Sequence, residues 1–243
     1  MSDTIRFIFT ADTHLGFDYP FARRVEKRQT GPYRGDDFFR NWKTIIDRAK
    51  KPDIDFLLHG GDLFFRSKFP AELSRRVFEP LWDVSDMGKK IYIVPGNHER
   101  STIPHGIFSL YRNIHIFDAP CSFRFEKGGM SVNLSGFPFV RSFDEKSFED
   151  YYREATPFTD TDHNLLCLHQ TIEGSRVKGY VFRKSKDIVY TRELPQNLTA
   201  VLCGHIHRRQ ILRKDIKGRP LPFPIVYPGS IERTSFNEME EEK

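Results

Sequence analysis

Cysteine is scarce and scattered: Cys121, Cys167 and Cys203 are the only three in 243 residues. An odd number cannot pair completely, and no two lie close enough in sequence to form a thiolate zinc knuckle. Cys167 and Cys203 sit inside apolar runs and are expected as reduced core residues, which suits a cytoplasmic protein. Long apolar runs are also missing. None approaches the ~20 residues that span a bilayer, and the N-terminal MSDTIRFIFTADTH has neither the basic leader nor the separate apolar segment of a secretory signal. A membrane protein and a disulfide-built scaffold are therefore not expected. No repeat, low-complexity tract or linker interrupts the chain, so one domain over residues 1–243 is the simplest reading.

What is present is core material on a basic background. Hydrophobic residues make up 38% of the chain and 23 residues are Phe, enough for a substantial core without cross-links. The net charge is +5, and it is uneven. Arg23, Arg24, Lys27, Arg28 and Arg34 cluster early, whereas Glu238, Glu240, Glu241 and Glu242 close the chain. Such asymmetry makes a polyanionic partner plausible without establishing one.

Short apolar runs read as strands at Ile5–Thr10, Ile54–His59, Lys90–Val94, Asn164–Leu168 and Thr199–Cys203. Residues 17–35, with Pro20, Gly31, Pro32 and Gly35 among basic and aromatic residues, read as a long loop. Phe38, Phe39, Trp42, Ile45, Ile46 and Ala49 have helical spacing within Asp36–Lys51. A second helix is expected from Pro70, kinked or split at Pro80. Short strands are expected at Ile114–Phe117, Ser122–Phe125 and Val132–Gly136, a helix over Phe143–Ala155, and antiparallel strands between Gln210 and Tyr227 turning at Lys217-Gly218.

The apolar strands share one property: each ends in residues that can hold a metal. They deliver Asp12 and His14, then Asp62, then Asn97 and His98, then His169, then His205 and His207. Each piece alone is an ordinary turn or a core histidine. Together they account for five of the nine histidines, and in open α/β sheets ligands bind beyond the carboxyl ends of the strands. His59, His105, His115 and His163 are read as structural. A donor set of imidazole, carboxylate and one amide, without thiolate, suits manganese, iron or zinc. It is too large for one tetrahedral ion. It suits two ions sharing a carboxylate, ~3.5–4 Å apart, the arrangement that clamps an in-line displacement at phosphorus.

These residues, in this order, resemble the calcineurin-like metallophosphoesterases, whose pattern is Asp-x-His, Gly-Asp, Gly-Asn-His, His and Gly-His-x-His. The flanking Gly61-Asp62-Leu63-Phe64, Val94-Pro95-Gly96-Asn97-His98 and Tyr227-Pro228-Gly229-Ser230 are most similar to the SbcD-type double-strand-break repair nucleases. The resemblance implies an α/β fold of two sheets flanked by helices, a four-layer α-β-β-α sandwich. It implies that Asp12, His14 and His207 hold one divalent ion and Asn97, His169 and His205 a second, that Asp62 bridges them, and that His98 protonates the leaving oxygen. Manganese is the metal it favours, and DNA the substrate. Arg66, Arg100 and Arg208 are candidates for contacting neighbouring phosphates. Family members also continue into a capping region and a segment that binds an SbcC-like coiled-coil ATPase. Two positions depart from the pattern. Phe65 stands where many relatives carry the His linked to exonuclease action, or an Asp. Glu99 follows Gly-Asn-His where repair nucleases usually carry Asp. The alternatives are a metallophosphatase or nucleotide phosphodiesterase of another branch and, behind them, a metal-free scaffold.

Overall fold

A computed structural model describes residues 4–17, 34–99, 112–235 and 238. Residues 18–33, which hold most of the expected long loop and its basic cluster, lie outside these, as do Arg100, His105 and the rest of the acidic tail. In chain order the main elements of the first half are β1 (Phe7–Thr10), α1 (Arg34–Ala49), β2 (Phe56–His59), α2 (Ala71–Asp86), β3 (Lys90–Ile93) and β4 (Ile114–Ile116). The four strands form one parallel sheet in the order β1-β2-β3-β4. Then come β5 (Cys121–Lys127), β6 (Met130–Gly136), α3 (Phe148–Glu154) and β7 (His163–His169). The short strands β8 (Thr171–Ile172), β9 (Arg176–Val177), β10 (Tyr180–Val181) and β11 (Ile188–Val189) follow, then β12 (Ala200–Gly204), β13 (Gln210–Lys214) and β14 (Pro220–Tyr227). The second sheet is mixed and runs β13-β14-β12-β7-β6-β5.

Side-chain alternation along the central strands makes the layers. In β2, Phe56 and Leu58 face the space between the sheets, while Leu57 faces α1 and α2. In β7, Leu165 and Cys167 point into the same space, while Leu166 and Leu168 point to the outer face that carries Phe148 of α3. Leu202 of β12 is likewise inward, and Val201 and Cys203 outward. Strands buried on both faces read as continuous apolar runs, which is why FLLH and NLLCLH show no polar alternation. The result is the expected four-layer α-β-β-α sandwich. All three cysteines are free, and Cys167 and Cys203 are buried. None of the described helices is long and apolar enough to cross a membrane.

Helix α1 buries Phe38, Trp42, Ile46 and Ala49 along one stripe, with Asp36 and Asp37 in its first turn and Arg48 in its last, matching the macrodipole. Helix α2 is one element from Ala71 to Asp86 with Pro80 inside it, so of the two expected outcomes the split does not occur. Its buried face (Leu73, Val77, Phe78, Leu81 and Val84) packs as a single stripe. The carbonyl deprived of its partner belongs to exposed Arg76, where water can replace the missing N–H. Helix α3 is shorter than expected because Ser147 caps it, its hydroxyl accepting from the Asp150 N–H at 3.2 Å. Upstream, the Phe143 N–H is committed to the Lys186 carbonyl instead.

Leu58 is fully buried between the sheets. Leu58→Ala is expected to lower stability by about 2–5 kcal/mol, read as a fall in the urea midpoint with an unchanged denaturant slope.

Candidate metal centre

The strand ends are level. Thr10 pairs with His59, His59 with Ile93, and on the other sheet Gly204 pairs with His169. The turns that leave these ends therefore meet at one edge of the sandwich. Five described non-glycine residues have positive φ, and four of them belong to these turns: Asp12, His14, Asp62 and His205. A left-handed backbone costs such residues of order 1–3 kcal/mol each and persists only where the surroundings over-determine it. Here the turns are laced together. Asp12 N–H donates to the Gly61 carbonyl at 2.8 Å, His14 N–H to Asp62 at 3.0 Å and Leu15 N–H to Leu63 at 2.9 Å.

The side chains converge as the sequence suggests. Asp12, His14 and His207 form one potential ligand group and Asp12, Asp62 and His169 another, the donor atoms of each within 4.8 Å of one another. His14 Nε2 lies 2.9 Å from His207 Nε2, and His207 Nε2 3.8 Å from an Asp12 oxygen. The Asn97 side-chain oxygen is 3.1 Å from both His169 Nε2 and His205 Nδ1. Asp62 stands between the two sets. Its Oδ2 is 3.4 Å from His169 Nε2 and 4.0 Å from His14 Nε2, while its Oδ1 accepts the His98 N–H at 2.9 Å. His98 Nε2 is also close, 3.8 Å from Asp62 Oδ2.

The tautomers fit ligation. His169 Nδ1 donates to the Gly60 carbonyl at 2.7 Å, and His207 Nδ1 donates to the Glu238 carboxylate at 3.0 Å. In both rings Nε2 is left to face the centre, and an outer hydrogen bond of this kind orients metal-ligating histidines. Burial pushes His14 down to about 3 and His205 down to about 4, so both present lone pairs at neutral pH. Burial pushes Asp12 up to about 6. Burial would also raise Asp62, but the imidazoles of His169, His14 and His98 outweigh it and hold the carboxyl well below its usual range. His169 is raised in turn by the Asp62 charge, against the effect of its own burial. Buried carboxylates facing several inward imidazole nitrogens form a donor set that fits divalent cations.

Three supporting residues escaped sequence reasoning. Buried Glu99 accepts the N–H groups of Gly96 at 2.7 Å, Phe64 at 2.8 Å and Asp62 at 2.9 Å. It straps the Gly-Asn-His turn to the Gly-Asp turn. Burial and the Asp62 charge push its carboxyl up to about 8, against the pull of those N–H groups. The sequence showed only a departure from Asp at that position. Glu238, read as part of an acidic run, instead reaches back to His207 and accepts from the Thr234 hydroxyl at 2.6 Å. Thr13 joins the two turns from below. His59 Nδ1 accepts the Gly61 N–H at 3.2 Å, so its Nε2–H donates to the Thr13 hydroxyl at 3.0 Å, which donates to the Leu63 carbonyl. His59 is thus structural, as expected. His115 is too, lying in a ring cluster with Tyr92 and Phe123.

Beside the centre is a cavity of about 550 Å³ lined by Phe65, Arg66, Ser67, Lys68, Asn97 and His98. Arg66 is therefore at the site. Arg208 is one residue past His207 but lines a different groove, and Arg100 lies outside the described residues.

A two-sheet sandwich with carboxylates and histidines gathered at the strand ends defines a metallophosphoesterase fold. The calcineurin-like phosphoesterase family model matches residues 5–209, and the chain belongs to that family. It is similar to the DNA double-strand break repair protein Mre11 of Archaeoglobus fulgidus, 25% identical over 250 residues covering 96% of this chain and 52% of the relative. It is also similar to the uncharacterized metallophosphoesterase YhaO of Bacillus subtilis, 24% identical over 98% of this chain and 56% of the relative. The chain thus spans about half the length of these relatives. Among solved structures, a dimetal phosphatase from Danio rerio superposes with a TM-score of 0.55 at 11% identity, over 93% of this chain and 88% of that one, which supports the fold.

Two outcomes follow from the supporting shell. Glu99→Ala strands three buried N–H groups and is expected to cost about 3 kcal/mol or more. Glu99→Gln, which keeps one acceptor oxygen, recovers part of it, and a cost under about 1 kcal/mol for the alanine variant would rule out the strap. His59 is held neutral by burial, down to about 3 in the fold against an ordinary value of 6.5. The unfolded chain therefore binds one proton more between those values, and the contribution of neutral His59 is whole above pH 6.5 and lost as pH falls. Between pH 7 and pH 5, wild type should lose about 2 kcal/mol more unfolding free energy than His59→Gln.

Proposed function

We propose that this chain is the catalytic unit of a dinuclear-metal phosphodiesterase that cleaves DNA, with Mn²⁺ as its working metal. The observation that supports this most is the placement of Asp62. One carboxylate stands between two separate ligand groups, with a further imidazole, His98, at its edge. The similarity to relatives named DNA double-strand break repair proteins supports DNA among phosphodiesters.

In this reading Asp12, His14 and His207 would hold one cation and Asn97, His169 and His205 the other, with Asp62 available to both. Divalent cations held there would lower the pKa of water and neutralise charge on phosphoryl oxygens. The protein supplies the rest. Glu99 fixes the Asp62 and Asn97 turns relative to each other through backbone bonds. Glu238 and the Gly60 carbonyl hold the rings of His207 and His169. His98 hydrogen-bonds through Nδ1 to the Phe65 carbonyl, which aims Nε2 at the centre. Its side chain is 30% exposed, so the ring is open to the cavity where a leaving group would depart. A proton on Nε2 can pass to that leaving oxygen. Arg66 and Lys68 line the same cavity and place positive charge beside it.

The roles of His98 and Asp62 are separable. His98→Ala is expected to lower turnover of bis(p-nitrophenyl) phosphate by about 10²–10⁴-fold with metal content unchanged by elemental analysis. Asp62→Ala is expected to lose metal. Loss of metal in the His98 variant would overturn the assignment of that ring. Chelation should abolish activity and Mn²⁺ restore it, whereas a protein that cannot be reconstituted would be a scaffold. Faster turnover of p-nitrophenyl phosphate than of the diester and single- or double-stranded DNA would place the chain among phosphatases instead.

A further inference from the structure

The five inward histidines do not present the same nitrogen. His14 and His207 face each other through Nε2 at 2.9 Å, His169 turns Nε2 to the Asn97 side-chain oxygen at 3.1 Å, and His98 turns Nε2 to Asp62 at 3.8 Å. His205 alone of the five turns Nδ1 inward, 3.1 Å from the same Asn97 oxygen. A half-turn of this ring about Cβ–Cγ would put Cδ2 where Nδ1 stands and remove the donor. The rings packed on it, Phe139 at 5.4 Å and His169 edge-on at 5.1 Å, scarcely distinguish a nitrogen from a carbon. A hydrogen bond at Nε2 does, because it sets both the orientation of the ring and its tautomer.

Nε2 of His205 faces Asp187. The Asp187 Oδ2 lies 4.0 Å away, and among the described residues no other carboxylate comes within that distance of either ring nitrogen. One water or a small turn of the carboxylate closes such a span. Asp187 has no lysine or arginine partner among the described residues. Its chain neighbour Lys186 pairs instead with Asp144 at 2.9 Å.

The position of Asp187 is built. It directly precedes β11, whose Ile188 pairs with Thr171 of β8. Fully buried Gln170, the residue after His169, donates through Nε2 to the Asp187 carbonyl at 2.8 Å and to the Val140 carbonyl at 3.1 Å, while its Oε1 accepts the Val140 N–H at 2.6 Å. Hydroxyls set the carboxylate itself: Ser185 donates to Oδ1 at 2.5 Å and Thr171 to Oδ2 at 3.3 Å. Each oxygen keeps acceptor capacity beyond those bonds. Residues that follow His169 at the end of β7 therefore hold an anion against the ring of His205 at the end of β12.

We infer that Asp187 is the positioning residue of His205: its carboxylate takes the Nε2–H, directly or through one water, and so keeps Nδ1 turned to the centre. The inference rests on the dinuclear reading above. A histidine nitrogen that holds a cation carries no proton, so an Nδ1 donor requires the ring proton on Nε2.

The test is Mn²⁺ binding to the metal-stripped full chain, followed by calorimetry and by electron paramagnetic resonance. Wild type is expected to take up two ions and to show the signal of a coupled pair. Asp187→Ala is expected to bind one of them about 10–100-fold more weakly and the other within about twofold of wild type, so that the signal of an isolated ion appears. Asp187→Asn removes the charge but keeps an oxygen that accepts the Nε2–H, and is expected to recover most of the loss. Asp144→Ala removes an exposed negative charge and is expected to bind as wild type does. Two ions held by Asp187→Ala as tightly as by wild type would overturn the role. An asparagine variant as weak as the alanine one would overturn it too, since charge would then act without orientation. So would loss of both ions together with a lower melting temperature of the metal-free chain, which marks a structural part. Wild type that takes up fewer than two Mn²⁺ refutes the dinuclear reading and the inference with it, whereas wild type with two ions and an indifferent Asp187→Ala refutes the inference alone.

Discussion

The two sheets approach so closely at their carboxyl edges that side chains are forbidden there, and the metal centre depends on that approach. A methyl group at Gly204 would stand 2.1 Å from the Gly60 carbonyl oxygen, one at Gly61 2.2 Å from His169 Nδ1, and one at Gly96 2.2 Å from Asp62 Oδ1. These are contacts no Cβ tolerates. The first two fix how far the sheets stand apart, and so whether the His169 ring can reach both the Gly60 carbonyl behind it and the Asp62 carboxylate in front, while the third holds two turns of the first sheet together. The left-handed residues follow from the same constraint. A chain leaving a strand end must turn at once to keep its side chain at the edge, and at Asp12, His14, Asp62 and His205 it does so at a conformational cost. The backbone ladder between the Asp12–Leu15 and Gly61–Leu63 turns offsets that cost.

Electrostatics points the same way. Two aspartates and two of the five inward histidines, His14 and His169, are withdrawn from water, an arrangement that hydrophobic packing alone would penalise. The residual interactions are the best that protein groups can offer one another. Asp62 is held ionised by imidazoles, and Asp12 takes the His205 N–H on both oxygens at 3.1 Å. Among the described residues His14 Nδ1 has no hydrogen-bond partner. Such a set is costly as structure and well suited to cations. The surrounding groups are satisfied where the inner ones are not: the Glu99, Glu238 and Thr13 networks meet their partners by ordinary hydrogen bonds.

Legibility in the sequence divides along the same line. The inner residues could be read because each follows an apolar run, and a run of four to seven residues ending in His or Asp is visible without knowing the fold. The four layers came only from the resemblance: FLLH and NLLCLH are apolar on both faces, but that pattern does not say how many layers cover them. Glu99 and Glu238 could not be assigned roles. One acts through three backbone N–H groups that only the folded turns bring together, and the other through a return of the chain over 31 residues to His207. The paired strands β8–β11 are two residues each, below any periodicity. At Pro80 the sequence leaves a kink and a split both open; the helix stays one element because its buried stripe holds it although the proline ring forbids one hydrogen bond.

The contributions of the two sheets to the site interlock. The first sheet supplies Asp12, His14, Asp62, Asn97 and His98 from the turns after β1, β2 and β3. The second supplies His169, His205 and His207 from the ends of β7 and β12. Neither of the proposed ligand groups is complete on one sheet: Asp12 and His14 need His207, and Asn97 needs His169 and His205. The donor set therefore exists only when the inter-sheet core of Phe56, Leu58, Leu165 and Leu202 is formed. A cation held there binds the packed state and not the separated one, so it stabilises that packing by mass action. Loosening of the inter-sheet core must in turn weaken the centre, even where no ligand is touched.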